Sequence, residues 1–187
     1  MGNSQIYEIP GFVSSSTCGE IVAWLKNRKE YEPENEGNAH FDGRTVPFNR
    51  IPDLHIKQMV GAFRFDITSK VRGLFEGTLY PDYTDLVYWP DGMDMDVHAD
   101  AAWLDGTPNY CAYRNVSGVT YLNDDYEGGE TYFPALEYEV KPEKGKVVLF
   151  PSDLQHRHGV REVKGERYTM PIWFTKDISH LEVEVGP

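Results

Sequence analysis

The sequence is poor in several residue types, and each shortage removes a class of protein. Cysteine occurs only as Cys18 and Cys111 in 187 residues. One disulfide is conceivable, but a disulfide framework is not. Basic residues are few: 18 Lys and Arg stand against 30 Asp and Glu, for a formal net charge of -12. Phosphate backbones and anionic membranes are held by positive fields, so neither nucleic acid nor a membrane is expected as a partner. The basic residues cluster only at Lys26-Asn27-Arg28-Lys29 and, more loosely, over 157–167. No apolar run approaches the ~20 residues of a membrane span. Met1-Gly2-Asn3-Ser4-Gln5-Ile6 has neither the charged nor the apolar region of a secretory leader. Ile6 stands where a myristoylation site needs Ser or Thr. Without a leader, the Asn115-Val116-Ser117 sequon reads as chance, and a cytoplasmic, reducing setting is expected. Internal repeats, low-complexity tracts and a clear linker are also missing.

What is present is a core. Hydrophobic residues make up 40% of the chain, enough for a folded domain rather than a disordered segment. Residues 14–29 read as a helix: Ser14, Ser15, Ser16 and Thr17 offer N-caps, Thr17 and Glu20 have capping-box spacing, and Ile21, Val22, Trp24 and Leu25 form a stripe. Residues 30–52 are polar and turn-rich. A second helix is expected from about Asp53 to Phe75, with Leu54, Met59, Phe63, Ile67, Val71 and Leu74 at helical spacing. From about Asp85 the pattern changes to short segments of Val, Tyr, Phe and Trp between Gly, Pro, Asp and Asn turns: Leu86–Trp89, Val116–Leu122, Glu137–Val140, Val147–Phe150 and Tyr168–Thr175. Regularly spaced short strands suggest a β-sandwich or jelly roll, with the helices packed on one β-core.

Six histidines are present, and His98 stands out because Asp100 follows at i+2. On a strand, i and i+2 share a face, so imidazole and carboxylate can converge on one ion. Two histidines and a carboxylate form the facial triad of non-haem iron(II) sites, which leaves coordination positions open. The second histidine is His156 or His158, both after the strand Val147–Phe150. They share parity, so strand periodicity does not choose between them.

The residues after His158, namely Gly159-Val160, Val163, Gly165, Arg167-Tyr168 and Trp173-Phe174, resemble the 2-oxoglutarate and iron(II)-dependent dioxygenases of the prolyl 4-hydroxylase-like branch. In that branch an arginine or lysine follows the distal histidine by nine or ten residues, and Arg167 lies nine after His158 but eleven after His156. The resemblance therefore selects His158. It runs over 84–176: Tyr88-Trp89-Pro90-Asp91-Gly92 with Met95 and His98; Arg114, Ser117 and Tyr121-Leu122-Asn123; Gly128-Gly129-Glu130-Thr131-Tyr132-Phe133-Pro134; and Lys141-Pro142 with Gly145 and Val147–Phe150.

The resemblance implies an α+β, mainly β fold: a double-stranded β-helix (jelly-roll, cupin-like) core with N-terminal supporting helices. The chain would be a single oxygenase domain over 1–187, divided into 1–83 (helices and loops), 84–176 (core) and 177–187 (C-terminal tail). It implies Fe(II) on His98, Asp100 and His158, which also form the catalytic set. It implies 2-oxoglutarate as cosubstrate, O2, and ascorbate in support. Arg167 would meet the far carboxylate of 2-oxoglutarate with Tyr121 adding a hydroxyl, because a buried carboxylate needs partners. Tyr88 and Ser117 would line the same pocket. Arg167, Thr169, Pro171 and Trp173 share strand parity, so Trp173 should also face inward. Arg114, Trp173 and Met95 would sit at the substrate, with Met95 where the branch usually carries tyrosine. The loop 101–110 should lie near the site, with Trp103 and Tyr110 as further substrate contacts, and residues 30–50 form another loop. The expected function is hydroxylation of a prolyl residue in a peptide or protein, by a monomer or homodimer. Hydroxylation of a free amino acid or other small molecule is the alternative. A nucleic acid demethylase conflicts with the charge, and a non-catalytic jelly-roll module has no need of the four residues His98, Asp100, His158 and Arg167.

Overall fold

The computed structural model describes residues 5–27 and 45–183. It begins with strand β1 (Tyr7–Ile9) and helix α1 (Ser15–Lys26). Of the four hydroxyl residues before and in the first turn, Ser14 is the cap, accepting a hydrogen bond from the Thr17 amide at 3.1 Å. The helix thus starts ahead of Thr17, and the Thr17–Glu20 box does not form; Glu20 instead reaches His55 Nε2 at 3.0 Å. Strand β2 (Thr45–Pro47) leads to α2 (Leu54–Leu74), where the Asp53 carboxylate accepts from the amides of His55 and Ile56. Ile56, Val60, Phe63, Ile67 and Val71 recur on one face of α2 and pack with Cys18, Ile21 and Leu25 of α1. Leu54, expected in this stripe, is exposed. Most of the expected 30–50 loop lies outside the described residues.

The remaining strands are β3 (Tyr80–Trp89), β4 (Met95–His98), β5 (Arg114–Tyr121), β6 (Glu127–Gly128), β7 (Thr131–Phe133), β8 (Tyr138–Val140), β9 (Val147–Pro151), β10 (His158–Val160), β11 (Val163–Lys164) and β12 (Arg167–Thr175). One sheet has the order β1-β9-β5-β12-β3-β2, a second the order β4-β10-β7-β8, and β11 pairs with β6. Two antiparallel sheets with helices on one face give the expected α+β, mainly β jelly roll, the double-stranded β-helix.

Alternation along the strands assigns the two faces of the larger sheet. On β12, Tyr168, Met170, Ile172 and Phe174 join Leu86 and Leu149 in the core that the helices cover. Arg167, Thr169, Pro171 and Trp173 point the other way, into a cavity between the two sheets. The N-terminal region supplies more than helices and loops: β1 pairs with β9 and β2 with β3, at the two outer edges of the larger sheet. The C-terminal stretch is also tied down, since Glu182 donates its amide to the Pro81 carbonyl at 2.9 Å and ion-pairs with buried Arg64. Cys18 and Cys111 are both free thiols. Among the described residues no helix is long and apolar enough to cross a membrane.

Candidate active site

His98 is the last residue of β4, and Asp100 lies in the bend just beyond it. The bend is held by the Ala101 amide, which donates to the Ser152 carbonyl at 3.0 Å. His158 opens β10, and the β4–β10 register sets it opposite His98. The pairing requires a bare backbone at Gly159, where a Cβ would meet the Tyr132 ring at 2.7 Å and the Met95 carbonyl at 2.8 Å. One donor atom from each of His98, Asp100 and His158 then lies within 4.8 Å of the others. Asp100 Oδ1 is 3.8 Å from His98 Nε2, and Oδ2 is 3.9 Å from His158 Nε2.

The neighbours prepare these three groups as ligands. His98 and His158 each turn Nδ1 to a main-chain carbonyl, of Asp96 and His156 respectively, at 3.1 Å. Nδ1 thereby carries the proton, and the Nε2 lone pair faces the common centre. The Ser117 hydroxyl donates to Asp100 Oδ2 at 2.6 Å and contacts the Ser152 hydroxyl at 2.8 Å. Burial pushes the Asp100 carboxyl up, but His158, His98 and Ser117 outweigh it and hold it below the ordinary carboxylate value. Burial holds His158 below the usual imidazole value, against the pull of Asp100. Two imidazole nitrogens and a carboxylate suit a divalent cation. His156 does not join them; its Nδ1 lies 2.7 Å from the Asp153 carboxylate.

Deeper in the same cavity lies Arg167, which is 1% exposed. Its Nε and Nη1 have no hydrogen-bond partner. The guanidinium carbon sits 4.6 Å from the Trp89 ring centroid and 5.4 Å from that of Tyr121. Tyr121 is fully buried, with its hydroxyl 2.8 Å from Thr131 Oγ1. Gly129, in left-handed backbone at φ +67°, leaves the space through which Arg167 passes: a Cβ there would lie 2.9 Å from Arg167 Cδ. A buried cation with idle donors is costly alone, and an anion at that spot would satisfy it. The residues present therefore fit a dicarboxylate that reaches from the ligand cluster to Arg167.

Strand register corrects one expectation. Tyr88 does not line this pocket; it stacks on Tyr168 at 5.1 Å and its hydroxyl reaches Glu166 on the outer side. Arg167 pairs with Trp89, so Trp89 is the residue that shares its face, and the Trp89 indole donates to Thr169 Oγ1 at 3.0 Å. Ser117 lines the cavity, but its hydroxyl is engaged with Asp100. Met95 is buried between this cavity and a wider mouth of about 1000 Å³. Arg114 and Trp173 line that mouth, the guanidinium 4.3 Å from the indole centroid and its Nε donating to Asp82 at 2.8 Å. Trp103 is half exposed on the rim and meets Tyr110 edge-on at 5.8 Å, while Tyr110 itself stands out in solvent. Sequence reasoning missed Trp89, Thr131 and Asp85, all lining residues. Parity with Arg167 across a β3–β12 pair was the signal for Trp89.

A histidine–carboxylate–histidine cluster thus lies beside a buried arginine, between the sheets of a jelly roll. Residues 84–175 match the family model of the 2OG-Fe(II) oxygenase superfamily. Mouse prolyl 3-hydroxylase 3 is 36% identical over 98% of this chain, and human prolyl 3-hydroxylase 2 is 32% identical over 64% of it. The chain spans 30% and 21% of the length of those two relatives. A prolyl hydroxylase from Trichoplax adhaerens, solved with a peptide of a hypoxia inducible factor oxygen degradation domain, has the same fold at a TM-score of 0.71 and 19% identity, over 93% of this chain and 84% of that one.

Proposed function

We propose that the chain is a 2-oxoglutarate- and iron(II)-dependent dioxygenase that hydroxylates a prolyl residue in a peptide or protein, with O2 as oxidant and ascorbate in support. The observation that carries the reading is Arg167, a buried guanidinium with two idle nitrogens in the cavity of the ligand cluster. His98, Asp100 and His158 would hold the iron, and Arg167 with Tyr121 would receive the far carboxylate of 2-oxoglutarate. Bound together, iron and 2-oxoglutarate supply the oxidising chemistry that turns a substrate C–H into C–OH. The chain's own work is orientation and exclusion of water. Ser117 and the carbonyls of Asp96 and His156 fix the three ligands. Trp89, Phe150 and Val160 give the cavity apolar walls.

The prolyl substrate is supported by the names of the relatives and by the mouth. Trp173 offers a flat ring beside Arg114, suited to a pyrrolidine and a peptide carbonyl. A mouth of about 1000 Å³ is at the large end for a single small molecule. Met95, which presents no hydroxyl to the substrate, is what favours the second reading, a free amino acid. The test is succinate release and gain of one oxygen on proline-containing peptides, with iron(II), 2-oxoglutarate and ascorbate. Turnover is expected to need iron(II) and 2-oxoglutarate and to vanish in D100A. Product from free amino acids with none from any prolyl peptide overturns the peptide reading. Turnover that survives in D100A overturns the metal assignment.

A further inference from the structure

Among the described residues, one carboxylate of the mouth has no cation paired with it. Asp85, on β3, is 8% exposed and lines the mouth, and its Oδ1 has no hydrogen-bond partner. Two of the described arginines near this corner have carboxylate partners other than Asp85. Arg114 bonds Asp82, and Arg64 ion-pairs with Glu182 and donates to Thr84. Among the described lining residues Arg114 is the one Lys or Arg, against Asp85, Asp96 and Asp100. Burial and the nearby Glu182 push the Asp85 carboxyl up to about 7, while Tyr83 and Arg114 draw it down. A buried carboxylate in this position gains most from an arriving cation. The rings of Tyr83 and Trp173, 6.2 Å apart on the same mouth, offer faces for the stem and charge of a basic side chain.

We propose that Asp85 is a specificity residue that receives the lysine or arginine side chain of a residue flanking the one oxidised. The substrates are then basic peptide segments, which also suits a chain of net charge -12. This rests on the peptide reading given above. Trp89, beside Arg167 in the depth of the cavity, is four residues along β3 from Asp85, about 13 Å of extended strand. A peptide whose target residue sits at the metal therefore passes Asp85 on its way out.

The test uses protein loaded with iron(II) and 2-oxoglutarate under argon, so that binding is read without turnover. Fluorescein-labelled peptides carry lysine, acetyl-lysine or glutamate at each position within two of a central proline. A parallel series has alanine in place of proline. Anisotropy is expected to show lysine at one flanking position binding roughly tenfold tighter than acetyl-lysine, and glutamate weaker than either. D85N should erase the difference without weakening the acetyl-lysine peptide, and D96N should keep it. Equal affinity for lysine and acetyl-lysine at every position of both series overturns the inference, as does a preference unchanged in D85N. If D85N does not fold, a preference lost in D96N overturns it instead. A lysine preference that depends on Asp85, with no oxygen gained by proline in air, sinks the prolyl reading and leaves this one standing.

Discussion

Replacing Arg167 with methionine should stabilise the ligand-free protein and abolish its response to 2-oxoglutarate. Two guanidinium nitrogens are buried without partners. A buried donor left unsatisfied costs about 1–3 kcal/mol. The Trp89 and Tyr121 rings at 4.6 and 5.4 Å return part of that, about 0.5–2 kcal/mol as cation–π attraction. Methionine has a similar reach and no donors, so the balance favours it by zero to a few kcal/mol, with each kcal/mol raising Tm by about 2–4 °C in a domain of this size. With ligand the order reverses. At a hundred times its Kd, 2-oxoglutarate adds about 2.7 kcal/mol to the wild type. Loss of a buried charge partner costs about 2–5 kcal/mol of binding, or roughly 30-fold to several thousand-fold in Kd. Thermal unfolding by circular dichroism, with cobalt(II) in the metal site and 2-oxoglutarate titrated, reads both effects. An R167M protein that melts well below wild type without ligand, yet still shifts with 2-oxoglutarate, would show that Arg167 braces Trp89 and Tyr121 and holds no carboxylate.

The Ser117 hydroxyl steadies Asp100 at 2.6 Å, so S117A should weaken metal binding about 10- to 100-fold, read by cobalt(II) titration; unchanged affinity removes Ser117 from the site. G159A drives a Cβ to 2.7 Å from the Tyr132 ring and 2.8 Å from the Met95 carbonyl. It should cost about 1–3 kcal/mol in chemical denaturation and lower metal affinity by shifting His158, whereas full stability would mean the β4–β10 contact is looser than described. Asp85 carries a carboxyl raised from 3.8 to about 7 in the fold. The folded state therefore keeps its proton through that window, and this group's contribution to stability falls as pH rises from about 4 to about 7. D85N lacks the slope, so its Tm should gain on wild type across the window; a gap that closes with rising pH contradicts the burial of Asp85.

The parts of the site set by local spacing were legible in the sequence. His98 and Asp100 are two apart, and Arg167 follows His158 by nine. Period-two alternation on β12 sends Arg167, Thr169, Pro171 and Trp173 into one cavity. What depends on pairing between distant strands was not legible. Tyr88 and Trp89 are adjacent aromatics ahead of a proline, and only the β3–β12 register turns Trp89 inward. β1 and β2 are three residues each, too short for any periodicity, and become strands because β9 and β3 offer unpaired edges. Four consecutive hydroxyl residues could have capped α1, and backbone geometry selected Ser14.

Asp85 shows the same division at the point where it bears on function. In sequence it is one acid among 30, at the start of an apolar run. Its isolation comes from elements far away in the chain: β2 sets Pro47 opposite it, Glu182 returns from the C-terminal stretch, and Asp82 and Glu182 take the arginines. The chemistry of the proposed metal centre is thus written in short intervals along the chain. The selectivity of the mouth is written in which charges have already found partners, and only the folded chain carries that information.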